Sequence, residues 1–130
     1  MIYLLDTNIV SYLIRGDVSA QTQLAKVPTY QVAVSVITEA EMLFGVVKRG
    51  GPKQLKNRVD AFLQRARVLA WTREVAIEYA HLRTSCESIG AVLAPLDMMI
   101  AAHASHIGAI LVTRDKAFIR TPTLKVERWL

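Results

Sequence analysis

Residues 2–5, Ile-Tyr-Leu-Leu, are apolar without a break and stop at once in Asp6-Thr7-Asn8. A strand buried on one face alternates apolar and polar residues, whereas an unbroken apolar run belongs to a strand covered on both faces. The same pattern returns at 109–112, Ala-Ile-Leu-Val, which runs through Thr113 and Arg114 into Asp115. The β-branched stretch 32–37 reads as a further strand. Helical stretches lie between them. The first is expected over 9–15, and Asp17 is a plausible N-cap for a second that runs to Lys26 before Pro28 ends it. Thr38 opens a helix whose stripe of Ala40, Leu43, Phe44 and Val47 recurs at helical spacing. Gly50-Gly51-Pro52 breaks it, and the next helix, 52–66, turns Leu55, Val59, Phe62 and Leu63 inward. Residues 67–71 read as a short strand, and 72–89 as a long helix with Val75, Ala76, Tyr79 and Leu82 on one side and Gly90 as its stop. A helix over 96–106 ends at Gly108, a short helical piece follows Asp115, and 124–126 adds an edge strand. Strands alternating with helices at this spacing imply a three-layer α/β/α sandwich around a mostly parallel sheet.

The chain has 130 residues, 52% of them apolar, enough for one core, so 1–130 is expected to form a single domain. No apolar run approaches the roughly 18 residues of a membrane span, and Asp6 interrupts the apolar N-terminus too early for a signal peptide. Cys86 is the sole cysteine, which excludes an internal disulfide and a cysteine-based zinc site and suits a reducing, cytoplasmic compartment. Sixteen basic residues against eleven acidic ones give a net charge of +5, a balance suited to a polyanionic partner. Lys48, Arg49, Lys53, Lys56, Arg58, Arg65, Arg67 and Arg73 fall in one stretch that only Asp60 interrupts. Such a run is either a solvated helix face or a surface that tracks phosphates, and Lys48, Arg49, Lys53 and Lys56 are its candidate phosphate contacts.

In a parallel sheet, the acids that follow two strands, Asp6 and Asp115, emerge at the same edge. Asp97 opens the helix after Pro95-Leu96, where a carboxylate also has a plain role against the helix dipole. Glu41 fits a capping box with Thr38, and periodicity alone does not separate it from Glu39. Taken together, these acids carry more than they do singly. Two carboxylates about 5 Å apart repel by roughly 3 kcal/mol at an effective dielectric near 20, so a convergent cluster must hold protons or a cation. Oxygen ligands alone suit Mg²⁺ or Mn²⁺. The histidines offer no rival chemistry: His103 and His106 point away from Asp97 around the helix axis at about 100° per residue, and His81 stands alone.

Leu4-Leu5-Asp6-Thr7-Asn8, Ser35-Val36-Ile37-Thr38-Glu39-Ala40-Glu41 with Gly45 four further on, Pro95-Leu96-Asp97-Met98-Met99-Ile100-Ala101-Ala102-His103-Ala104, and Leu111-Val112-Thr113-Arg114-Asp115 with Phe118 together resemble the PIN-domain ribonucleases, specifically VapC toxins. The blocks match in order along essentially the whole chain. The resemblance selects Glu41 over Glu39 and implies Mg²⁺ carried chiefly by Asp6 and Asp97, with Glu41 and Asp115 completing a catalytic acidic pocket. It gives Asn8 and Thr113 the task of orienting those acids. It further implies an endoribonuclease toxin that leaves a 3′-hydroxyl and a 5′-phosphate on structured RNA such as tRNA. A homodimer silenced by a small VapB-type antitoxin is also implied.

A different class remains open on the residues alone. A PIN-like binding module could use the same acids only to dock a basic partner peptide. A phosphatase of the haloacid dehalogenase type would want a second Asp two residues after the first, where this chain has Asn8.

Overall fold

The computed structural model describes residues 1–129. Five strands, β1 (Tyr3–Leu5), β2 (Val32–Ser35), β3 (Arg67–Leu69), β4 (Ile110–Thr113) and β5 (Lys125–Arg128), form one sheet in the order β3-β2-β1-β4-β5. Every neighbouring pair is parallel, with Leu4 opposite Ala33 on one side and Leu111 on the other. Six helices connect them: α1 (Thr7–Ile14), α2 (Val18–Ala25), α3 (Val36–Lys48), α4 (Lys53–Arg65), α5 (Arg73–Ser88) and α6 (Pro95–Ile107). Single 3₁₀ turns cover Thr29–Gln31 and Lys116–Phe118.

The strand period of two divides the core into two halves. Leu4, Ala33 and Leu111 point to the face covered by α5 and α6, where they meet Leu82, Ile100 and Phe118. Leu5, Val34 and Val112 point to the opposite face and meet Ile9, Val10 and Leu13 of α1, Ala20 of α2 and Trp129. These are the three layers expected from the unbroken apolar strands. Small residues let α6 sit deep: Ala101, Ala102 and Ala104 are fully buried, and Gly108 ends the helix in the left-handed region at φ 68°.

The order also fixes where a site belongs. From β1 the chain moves outward through β2 to β3 and then returns to β4 on the other side of β1, so the switch point lies between β1 and β4. Asp6 N donates to Val112 O at 3.0 Å and carries the pairing of these two strands to their C-terminal ends.

Five details differ from the sequence expectations. Helix α1 starts at Thr7, two residues before the expected residue 9, because Asp6 caps it. Strand β2 ends at Ser35, not at residue 37, because the Ser35 hydroxyl accepts from Ile37 N at 3.1 Å and starts α3 two residues before Thr38. The capping box of Thr38 and Glu41 therefore does not form. Strand β3 stops at Leu69, and Trp71 instead turns its Nε1 to Met99 O on α6 at 3.0 Å. Strand β5 extends to Arg128 and is followed by Trp129, which is buried. Finally, the apolar stripe of α3 is not its buried face. Leu43, Phe44 and Val47 are exposed, while Thr38 and Val46 turn inward.

Candidate active site

Asp6 is placed by local chemistry. It is the N-cap of α1, its Oδ1 accepting from Ile9 N at 2.8 Å, and it is only 3% exposed. Thr113, the buried last residue of β4, hydrogen-bonds to the same carboxylate. The Thr113 hydroxyl also accepts from Asp115 N at 2.9 Å, and thus links the acid after β1 to the acid after β4. Asp115 is exposed and caps the following 3₁₀ turn through Ala117 N at 2.9 Å. Asp97 lies half-buried in the first turn of α6.

Glu41 reaches the site by a contact between elements. Its Oε1 accepts from Thr7 Oγ1 at 2.6 Å, and Thr7 Oγ1 lies 3.2 Å from the buried Thr38 hydroxyl. Thr7 thus joins α1 to α3 and separates Glu41 from Glu39, which periodicity could not do. Sequence reading passed over Thr7, although a hydroxyl directly after a strand-end N-cap was the available signal. Asn8 lies exposed on the same turn.

The electrostatics show the acids acting on one another. Burial, reinforced by Asp97 and Asp115, pushes Asp6 up to about 6 against the lowering hydrogen bonds from Thr113 and Ile9. Burial first, then Glu41 and Asp115, raises Asp97. Each of the four acids thus enters the field of at least one other, and no cation is among the causes of either shift. Among the described residues, no three Asp, Glu, His or Cys side chains close into a ready-made metal cage. All-oxygen donors that crowd without closing suit a hard cation that keeps much of its own water, as Mg²⁺ does.

The histidines have other tasks. His103 is buried on α6, and its Nδ1 lies 2.8 Å from Ser35 Oγ, so it ties the helix of Asp97 to the start of the helix of Glu41. Burial pushes its imidazole below the ordinary value. His81 and His106 are exposed.

The candidate RNA contacts lie on the hairpin between α3 and α4, and among the described residues no salt bridge joins them to the four acids. Lys48 lies 5.8 Å over the Phe44 ring, Arg49 donates to Gly45 O at 3.2 Å, and Lys56 meets Asp60 at 3.5 Å. Lys53 is exposed. On the α1, α2 and α4 side runs a groove of about 590 Å³, floored by Leu13, Leu24 and Phe62 and rimmed by Arg15, Arg58 and Arg65.

The family model of the PIN domain matches residues 3–124, and the five-stranded parallel sheet flanked by helices agrees with that fold. The chain is 37% identical over 134 residues to Ribonuclease VapC2 of Rickettsia felis, across 99% of this chain and 98% of that protein. It is 29% identical over 128 residues to the tRNA(fMet)-specific endonuclease VapC of Salmonella typhimurium, across 98% and 97% of the two chains. Among solved structures, VapBC2 from Rickettsia felis bound to a DNA fragment from their promoter has a TM-score of 0.92 at 34% identity over 100% of both chains. DNA-bound VapBC from Salmonella typhimurium also reaches 0.92, at 28% identity over 100% of this chain and 99% of that one. The chain belongs to the PIN-domain family, among its VapC ribonucleases.

Proposed function

We propose that this VapC-type chain is a Mg²⁺- or Mn²⁺-dependent endoribonuclease that cuts structured RNA such as tRNA and acts as the toxin of a toxin-antitoxin pair. The observation that carries the reading is the gathering of Asp6, Asp97, Glu41 and Asp115 at the switch point, where burial and mutual repulsion raise Asp6 and Asp97. Two carboxylates held in that condition are costly to a module that only docks a peptide, and they suit a site that takes a cation. Asp6 and Asp97 would hold the metal. When bound there, a divalent cation supplies charge neutralisation at the scissile phosphate and acidifies a water for in-line attack.

The chain's own residues do the positioning. Ile9 N and Thr113 fix both the place and the rotation of the Asp6 carboxylate. Thr7 holds one oxygen of Glu41, and the exposed Asp115 adds negative charge to Asp6 and Asp97. The products under this reading are a 3′-hydroxyl and a 5′-phosphate. The groove floored by Leu13, Leu24 and Phe62 fits one apolar face of a VapB-type antitoxin segment, with Arg15, Arg58 and Arg65 facing its acidic residues. That VapBC complexes are among the structural neighbours supports this partner. The exposed stripe Leu43, Phe44 and Val47 is the face proposed for a homodimer, and the buried free thiol of Cys86 suits the cytoplasm. Among the described residues, no helix is long and apolar enough to cross a membrane.

The deciding experiment compares cleavage by the wild type and Asp97→Asn with Mn²⁺, Mg²⁺ and EDTA. Outer-shell changes at metal sites cost 10- to 100-fold, so loss of a ligand should reduce cleavage by more than about 100-fold in a protein that still folds. Full activity in EDTA, or in the folded variant, overturns the reading. For the dimer, Phe44→Asp should give a monomer in analytical ultracentrifugation where the wild type sediments as a dimer.

A further inference from the structure

Asp115 presents a carboxylate to the site from an exposed turn, and its own hydrogen bonds, to Thr113 Oγ1 and from Ala117 N, are both local. What anchors that turn to the rest of the fold is the residue between Thr113 and Asp115. Arg114 Nε donates to Trp129 O at 2.6 Å, and Nη2 donates to Asp17 Oδ2 at 2.5 Å. Its guanidinium lies 4.1 Å from the centre of the Tyr12 ring. Its carbonyl accepts from Arg128 Nη2 at 3.3 Å, while Thr113 O accepts from Trp129 N at 3.1 Å. Asp17 is itself fixed, since the same Oδ2 accepts from Ala20 N at 2.8 Å and caps α2. One side chain therefore meets α1, the start of α2 and the end of β5.

These contacts are more than an exposed ion pair supplies. The two side chains are 21% and 30% exposed, and the planar fork satisfies a carboxylate, a carbonyl and a ring face at once, which an ammonium group does not do. The same engagement argues against Arg114 as a phosphate ligand, because its best donors are already used. Resting on the nuclease reading above, we infer that Arg114 is a positioning residue. It is a strut from the α1–α2 junction and the C-terminal strand that holds the Thr113–Asp115 turn with its carboxylate toward Asp6 and Asp97.

The test separates position from charge. Removing the positive charge of Arg114 would strengthen cation binding if only its field mattered, and removing the negative charge of Asp17 would weaken it. A strut makes both changes act in the same direction. Mn²⁺ binding by calorimetry is compared for the full-length wild type, Arg114→Gln, Asp17→Asn and the double variant, with Arg83→Gln as an exposed-charge control. Each single change should lower affinity about 10-fold, and the double change should add little, as for two ends of one contact. Cleavage of unfractionated tRNA should lose a comparable factor in kcat with KM unchanged, and Arg114→Lys should remain impaired. Asp17→Asn keeps an N-cap side chain, so it decides the matter even where Arg114→Gln fails to fold. Tighter or unchanged Mn²⁺ binding in Arg114→Gln overturns the strut. So does a rise in KM confined to the Arg114 variants, which would mark an RNA contact. A wild type that neither binds Mn²⁺ nor cleaves would sink the nuclease reading alone. Hydrogen exchange at the amides of Asp115 and Ala117 then judges the strut: faster exchange in both variants supports it, and unchanged exchange overturns it.

Discussion

Asp6 has two tasks whose energies oppose each other. As N-cap of α1 it satisfies an orphan amide of the first turn, a contribution of about 1 kcal/mol to the fold. As a buried acid near two others it is raised from 3.8 to about 6, which makes its ionised form a burden on the metal-free protein. Below pH 4 both the folded and unfolded chains hold this proton, and there is no penalty. Between pH 4 and 6 the folded chain keeps a proton that the unfolded chain has lost, so stability falls as pH rises. Above pH 6 the penalty is constant at about 3 kcal/mol. Asp6→Asn keeps an acceptor for Ile9 N and cannot ionise. In metal-free buffer it should therefore match the wild type near pH 4 and exceed it by up to about 3 kcal/mol at pH 7.5, as urea unfolding across pH would show. Adding Mg²⁺ should stabilise the wild type above pH 6 and leave Asp6→Asn unmoved. A variant no more stable than the wild type at pH 7.5 would mean that burial and the neighbouring acids do not penalise the ionised form of Asp6.

At the scale of elements, what the sequence reveals depends on how local the deciding contact is. Asp6, Asp17, Thr72 and Asp115 all cap the turns they precede, each cap within three residues of its amide. Yet only Asp17 reads as a cap from the sequence, and the first helix, expected from residue 9, starts at Thr7 behind Asp6. Helix α3 could not be read that way. Its apolar stripe has the correct period, yet Leu43, Phe44 and Val47 face solvent, because the fold packs the helix by Thr38, Met42 and Val46 instead. Its start is missed for a different reason: the β-branched Val36 and Ile37 fit a strand as well as a helix, and only the local Ser35 cap decides. Ser35 acts across the fold as well. Its Oγ accepts from Ile37 N, so its own proton is available to the buried His103 Nδ1. Ser35→Ala would leave both groups without their partner. It should destabilise the chain by roughly 2 to 4 kcal/mol, from the lost cap together with an unpaired buried nitrogen. The check is a lower urea midpoint with an unchanged slope. A loss below about 1 kcal/mol would show that α6 and α3 do not depend on this bond for their relative placement.

Over the whole molecule, charge of each sign has its own place. The net charge is +5, yet the crevice beyond β1 and β4 is acidic, so the basic residues must be gathered elsewhere. Four of them lie on the α3–α4 hairpin, whose turn is made by Gly50 and Gly51 at φ 84° and 70°. Helix α4 runs from Lys53 to Arg65 just before β3, so Lys53 and Lys56 lie in its first turn, beside the hairpin bend. Arg49 bonds back to its own helix and Lys56 pairs with Asp60, but both contacts are exposed and are worth under about 1 kcal/mol, so a phosphate can replace them. If this arm tracks RNA, changing Lys48, Arg49, Lys53 and Lys56 together to Gln should reduce the slope of log affinity against log salt by roughly 3, at about 0.7 to 0.9 per contact. Mn²⁺ binding should not change, because the arm touches none of the four acids. The comparison uses the chain free of any partner, since Arg58 and Arg65 on the same helix rim the groove. An unchanged salt slope would reduce the arm to a solvated helix face. The phosphate path would then be sought closer to the crevice, where Arg114 is already engaged and Arg120 donates to Ile89 O at 2.9 Å, leaving Arg15 over the Tyr12 ring as the next residue to change.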